Sequence, residues 1–258
     1  MGKRKRVDIV RHGRSIAIER ELVQGSADIL EDGQINCLSD LGGREVQCLC
    51  DALSGETYDA ILASGLTRVR QTAEALKNAV KGDPSVEFYT ELTERGLGKY
   101  TLQPYKSIEL CGFPSLVSLL TLMDDPDDDK FNPHISPKPG VGCGQKFIEV
   151  AKQTRNFYRS LLIKDPERIL IVTSDIRMQY LIGEILGVRR RARISQNTCG
   201  INRFQIYWPD VGAMRDPFVE VGTLNFVEHL KGLYLDLFGR EGLPRPNIPA
   251  PSSSQPGG

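Results

Sequence analysis

The chain lacks net charge: 33 lysines and arginines stand against 33 aspartates and glutamates in 258 residues. That balance removes any global electrostatic case for a nucleic-acid or anionic-membrane partner. Long apolar runs are missing too. No stretch approaches the roughly 20 residues of a membrane span, and the start of the chain has no signal-peptide core. Arg6 stands where a myristoylation signal carries Ser or Thr. The six cysteines (Cys37, Cys48, Cys50, Cys111, Cys143 and Cys199) form no Cys-x-x-Cys pair. The three histidines (His12, His134 and His229) offer no metal-ligand spacing, so neither a metal nor another cofactor is called for. Scattered thiols without a secretion signal fit a reducing compartment, and a cytoplasmic location is expected. No internal repeat is visible.

What is present is strand followed by helix, several times over. Val7-Asp8-Ile9-Val10 reads as a buried β-strand ending on Arg11-His12-Gly13. Residues 16–37 read as irregular. Ser39 then suits the N-cap of a helix with Val46, Leu49, Cys50 and Leu53 on its apolar face. A second strand over 58–63 runs into Ser64-Gly65-Leu66-Thr67-Arg68 and a helix broken by Asp83-Pro84; a third, 86–89, leads to Glu94. Ile169, Leu170, Ile171 and Val172 form a continuous β-branched and aliphatic run suited to a central parallel strand, and a helix follows directly. Later strands are expected at 201–207 and 218–221, with a final helix near 227–238. This order predicts an α/β three-layer sandwich with a mostly parallel central sheet.

One domain is expected over residues 1–241. Residues 100–144, with a helix around 116–123, the acidic run 124–129 and several prolines, read as a cap insertion over the sheet's ligand-binding edge. The Pro- and Ser-rich stretch 242–258 is expected to be a disordered tail. The basic clusters 3–6 and 189–193 read as a solvated lead into the first strand and a solvated helix end.

Three strand ends carry suggestive chemistry. They deliver Arg11-His12-Gly13, Ser64 with Arg68, and Glu94 to the edge where open α/β sheets bind ligands. Two guanidiniums, an imidazole and a carboxyl group are what phosphoryl transfer through a phosphohistidine needs: nucleophile, charge clamp and acid for the leaving oxygen. Each alone also suits a bland role, Arg68 as a solvated helix residue and Glu94 in a surface ion pair with Arg95.

Five segments in order resemble the histidine phosphatase superfamily, which includes the cofactor-dependent phosphoglycerate mutases. Val10-Arg11-His12-Gly13-Arg14-Ser15 is similar to its defining Arg-His-Gly motif, and Leu38-Ser39-Asp40-Leu41-Gly42 to its Leu-Thr-x-x-Gly helix start. Residues 64–73 resemble Ser-Pro-Leu-x-Arg-Ala-x-x-Thr-Ala, 92–98 the segment bearing the acid, and 225–230 a late Asn…His-Leu stretch. The resemblance implies a phosphoglycerate mutase-like fold, His12 as phosphorylated nucleophile, Glu94 as general acid and Arg11 with Arg68 as phosphate clamp. Ser15 and Ser174 join the phosphate-binding side chains as hydroxyl donors.

One departure is serious. Where the family places a second histidine and a glycine after the strongest strand, this chain has Ser174 and Asp175. Serine donates one hydrogen bond but brings no positive charge. Arg14 replaces the usual Glu or Gln, a cation placed to restore what Ser174 lacks, and Arg14 and Asp175 are the candidate substrate contacts. The expected function is therefore a weakened phosphohydrolase acting on a small phosphate ester through phospho-His12. The alternative is an inactive pseudophosphatase that binds phosphate or serves as a scaffold; nucleic-acid binding is the weakest reading.

Overall fold

A computed structural model describes residues 3–110, 144–145, 147–188, 196–208 and 217–238. The expected helix at 116–123, the acidic run 124–129, the basic cluster 189–193 and the tail 242–258 lie outside them. Six strands form one sheet: β1 (Lys3–Arg11), β2 (Ala60–Ala63), β3 (Ser85–Phe88), β4 (Arg168–Thr173), β5 (Ile201–Trp208) and β6 (Phe218–Phe226). Their order across the sheet is β3-β2-β4-β1-β5-β6. The first four are parallel, while β5 runs antiparallel to β1 and β6 antiparallel to β5. The mixed but mostly parallel α/β sheet is therefore as expected.

Alternation along the strands builds two cores. Val10, Ile61, Ala63, Leu170 and Val172 face α2 (Asp40–Leu53) and α3 (Thr67–Ala79), with Tyr234 of α6 (Lys231–Phe238) closing that layer. Val7, Ile9, Leu62, Ile169 and Ile171 face α4 (Phe147–Ile163) and α5 (Asp175–Ile185). Successive side chains point to opposite faces, so a strand covered on both sides must be apolar throughout. β4 is that strand: from Ile169 to Thr173 every residue is buried.

Three readings change. The 16–37 segment is not wholly irregular, because Ser15 caps a one-turn helix, α1 (Ile16–Glu19), accepting from the Ile18 amide. The cluster 3–6 is not a solvated lead but part of β1. Lys5 Nζ donates to the carbonyls of Lys164 and Pro166, and Arg6 pairs with Asp8 and Glu56, so internal partners take up these two charges, while Arg4 stays exposed. β6 extends to Phe226 because it pairs along the length of β5. Ser39 does cap α2, accepting from the Gly42 amide at 3.1 Å.

Candidate active site

Strands β2, β4 and β1 are neighbours and parallel, so their C-terminal ends bring Ser64, Ser174-Asp175 and Arg11-His12 to one edge. Glu94 comes from the segment after β3, drawn in by a hydrogen bond from Thr173 Oγ1 to the Leu92 carbonyl at 2.7 Å. Arg68 lies in the first turn of α3. His12, Arg68, Ser64, Ser174 and Ser15 are fully buried, and Arg11, Glu94, Arg14 and Asp175 nearly so. The bland alternatives for Arg68 and Glu94 required exposure, which neither has.

His12 is fixed at both ends. Its amide donates to the Thr173 carbonyl at 3.0 Å, and Nδ1 sits 2.7 Å from the Gly13 carbonyl. A carbonyl can only accept, so Nδ1 carries the hydrogen and Nε2 presents a lone pair. Burial, then the charges of Arg68 and Arg11, push the imidazole well below its ordinary pKa. It is a neutral base at physiological pH. Arg68 Nε lies 3.4 Å from Nε2, while its other nitrogens donate to the Gly25 and Ala27 carbonyls at 2.8 and 2.9 Å. Burial lowers the Arg68 pKa to about 10, so it remains a cation near neutrality.

Arg11 Nη1 donates to the Gln196 carbonyl at 2.6 Å, and 3.8 Å separates it from the Asp175 carboxylate. The Asp175 carboxylate also accepts from Gln179 Nε2 at 2.8 Å. Asp175 therefore turns toward the site. Glu94 accepts from the amides of Arg95 and Ile176 at 2.8 and 3.2 Å, yet burial and the nearby Asp175 charge raise its pKa. A raised carboxyl beside a neutral imidazole is an acid–base pair pushed apart by environment. The hydroxyls of Ser64 and Ser174, both buried at this edge, have no hydrogen-bond partner among the described residues. Leaving a buried hydroxyl unbonded is costly, so each is placed to bond a ligand or a water. Ser15 is buried at the same turn, its hydroxyl donating to Gln24 Oε1 at 2.7 Å. Glu94 also lines a cavity of about 480 Å³ with Ser26, Glu91, Gln145, Gln153 and Arg177.

Two supports lie far away in sequence. Arg14 is held by Glu45, a fully buried carboxylate on α2 that accepts from the Arg14 amide at 2.8 Å and lies 3.6 Å from Arg14 Nε. Thr198 Oγ1, at 2.9 Å, and the Tyr234 hydroxyl also donate to Glu45. Burial opposes the Arg14 charge, but Glu45 and Tyr234 raise its pKa above the ordinary value. Gly42 explains the helix-start motif: a Cβ there would stand 1.9 Å from the Arg14 carbonyl, so only glycine admits the β1 turn against α2. The late motif acts on Arg11 indirectly. Asn225 pins Asn197 through two hydrogen bonds and Asn202 through its amide, and Asn202 holds Gln196, whose carbonyl receives Arg11. Glu45 and Gln196 were not anticipated, although Glu45 lies on the stripe shared by Leu49 and Leu53, where a lone carboxylate is a misfit.

No helix among the described residues is long and apolar enough to cross a membrane. The sequence profile of the histidine phosphatase superfamily (branch 1) matches residues 7–210. No curated protein matches the chain in sequence. Among solved structures, mycobacterial glucosyl-3-phosphoglycerate phosphatase superposes with a TM-score of 0.65 at 17% identity, covering 86% of this chain and 99% of that one. The alpha-ribazole phosphatase of Shigella flexneri gives 0.61 at 19% identity, over 86% and 96%. Phosphoserine phosphatase of Entamoeba histolytica, with 3-phosphoglyceric acid bound, gives 0.59 at 16% identity, over 88% and 99%. Likeness at these identities is likeness of fold.

Proposed function

Because the chain belongs to the histidine phosphatase superfamily, we propose that it is a phosphohydrolase acting on a small phosphate ester, with His12 as nucleophile. The observation that carries this reading is the state of His12: neutral, buried, and held so that Nε2 presents its lone pair beside Arg68. Nε2 attacks phosphorus and the bond to the ester oxygen breaks. Glu94, whose pKa burial and then the Asp175 charge raise, gives its proton to the departing alkoxide. Water then attacks the phosphohistidine, Glu94 takes a proton back, and inorganic phosphate leaves with His12 restored. Arg11 and Arg68 neutralise the non-bridging oxygens, and the Ser174 hydroxyl, without a partner among the described residues, donates where the second histidine would. Arg14 adds a third guanidinium to the rim.

A second reading has its own observation. The Asp175 carboxylate beside Arg11 is a resident anion in a site meant for phosphate, which suits a pseudophosphatase that retains binding without turnover. Hydrolysis of an aryl phosphate by the native chain and by His12→Ala separates the two. The phosphatase reading predicts turnover that His12→Ala abolishes; equal background rates across several phosphate esters would sink it. Both readings place this protein in contact with small phosphorylated molecules rather than nucleic acid or membrane.

A further inference from the structure

A second cavity lies at the other end of the sheet, and we propose that it binds inorganic phosphate as the hydrogen-phosphate ion. Its volume is about 280 Å³, and Arg4, Arg6, Glu167, Arg168 and Gln205 line it. Arg6 precedes Arg11 by five residues along β1. At about 3.3 Å per residue, roughly 16 Å of strand separates this cavity from the candidate active site. Nothing in it depends on turnover at His12.

Strand register assembles the guanidiniums. Arg6 lies opposite Arg168 on parallel β4 and opposite Gln205 on antiparallel β5. Arg4 stands two residues before Arg6, so its side chain leaves the same face of the sheet. Like charges set opposite each other across a ladder destabilise it. The nearby carboxylates do not cancel them all. Arg6 pairs with Asp8 and Glu56, each at 2.8 Å, and Arg203 contacts the same two carboxylates, each at 3.0 Å. Two anions there already serve two cations. Asp59 accepts from the Glu167 and Arg168 amides at 2.9 and 2.7 Å. Arg4 and Arg168 are exposed, and neither side chain has a hydrogen bond or ion pair among the described residues.

Two guanidinium forks with open donors suit the oxygens of phosphate, and arginine keeps its charge at any working pH. The Gln205 amide has no hydrogen-bond partner among the described residues either, so its nitrogen can add a further donor. Glu167 is the one acid in the wall. A carboxylate only accepts when ionised, so it repels an anion without a proton and bonds one that carries a P–OH. Hydrogen phosphate brings both the charge for the arginines and the proton for Glu167. Sulfate brings the charge alone.

The test is calorimetric titration with inorganic phosphate and with sulfate at fixed ionic strength. It uses the full chain, both native and with Arg68→Ala to weaken the candidate active site. In either background Arg4→Gln or Arg168→Gln should weaken phosphate binding at this site about tenfold, the loss of one hydrogen bond to a charged ligand. Arg159→Gln, at an exposed arginine elsewhere, should change nothing. Sulfate should bind about tenfold more weakly than phosphate, and Glu167→Gln should narrow that gap. Affinity lowered alike by Arg4→Gln, Arg168→Gln and Arg159→Gln reports general charge screening and overturns the proposal. Affinity untouched by all three, or sulfate bound as tightly as phosphate, overturns it too. Failure of the phosphatase reading looks different: His12→Ala then hydrolyses aryl phosphate no more slowly than the native chain, while phosphate still binds through Arg4 and Arg168.

Discussion

Arg11 and Asp175 face each other across the ends of β1 and β4, guanidinium to carboxylate at 3.8 Å, both nearly buried. On the proposed mechanism, an anion that belongs to the protein stands beside one arm of the phosphate clamp. It also acts on Glu94, whose pKa it raises beyond the effect of burial.

Asp175→Asn removes that charge and keeps the shape. Phosphate affinity is expected to rise by about three- to tenfold, since like charges no longer meet. Glu94 must be protonated to serve the leaving oxygen, so activity falls as pH rises through its pKa. With Asp175 neutral that pKa drops, and the alkaline limb of kcat moves to lower pH. A pH–rate profile reads both; an unmoved limb would mean Asp175 does not act on Glu94.

Restoring the family's residues at this edge, by Ser174→His with Asp175→Gly, adds a donor and removes a repulsive charge. The gain expected in kcat is about 10²–10³, the usual worth of one such donor. No gain in steady-state hydrolysis of an aryl phosphate would place the defect elsewhere in the pocket.

The buried imidazole makes a prediction about stability. In the unfolded chain His12 takes a proton near pH 6.5, while in the folded chain burial and two arginines hold its pKa well below that. The unfolded state therefore binds more protons as pH falls through 6.5, and stability declines there. His12→Asn should flatten that part of the pH–stability curve. Melting temperatures between pH 8 and 5 check it: a difference between native chain and variant that does not change with pH would contradict the assignment.

Glu45→Ala leaves the Arg14 amide, Thr198 and Tyr234 without their shared acceptor and uncovers the Arg14 charge. Removing one partner of such a buried set costs about 3–5 kcal/mol. Denaturant unfolding should show a loss of that order, and phosphate affinity should fall with it because Arg14 is no longer held. A loss below about 1 kcal/mol would mean the network is not what seats Arg14.

The strands, and which residues stand at their ends, were legible because they follow from local rules. A continuous aliphatic run, Ile169, Leu170, Ile171 and Val172, three of its four residues β-branched, suits a doubly covered strand, and parallel neighbours present their ends together. Which way Asp175 points was not legible. A residue at the first position of a helix can turn toward the strand ends or toward solvent, and the choice rests on Gln179 and Arg11, the latter 164 positions away. The seat of Arg14 was hidden for the same reason, since it depends on Glu45 and on Tyr234 from the other end of the chain. The reading of cluster 3–6 failed because the partners of Lys5 are carbonyls beyond position 160. Local pattern gives elements and edges; contacts between distant segments decide orientation.

On the proposed mechanism, phosphorus passes through His12. The direct measurement is to quench the protein during turnover of a phosphorus-labelled aryl phosphate and to assay protein-bound label. Turnover through a phosphohistidine gives label that is stable in base, released in acid and absent from His12→Ala. Label that persists in His12→Ala, or hydrolysis with no labelled protein at any time, would contradict it.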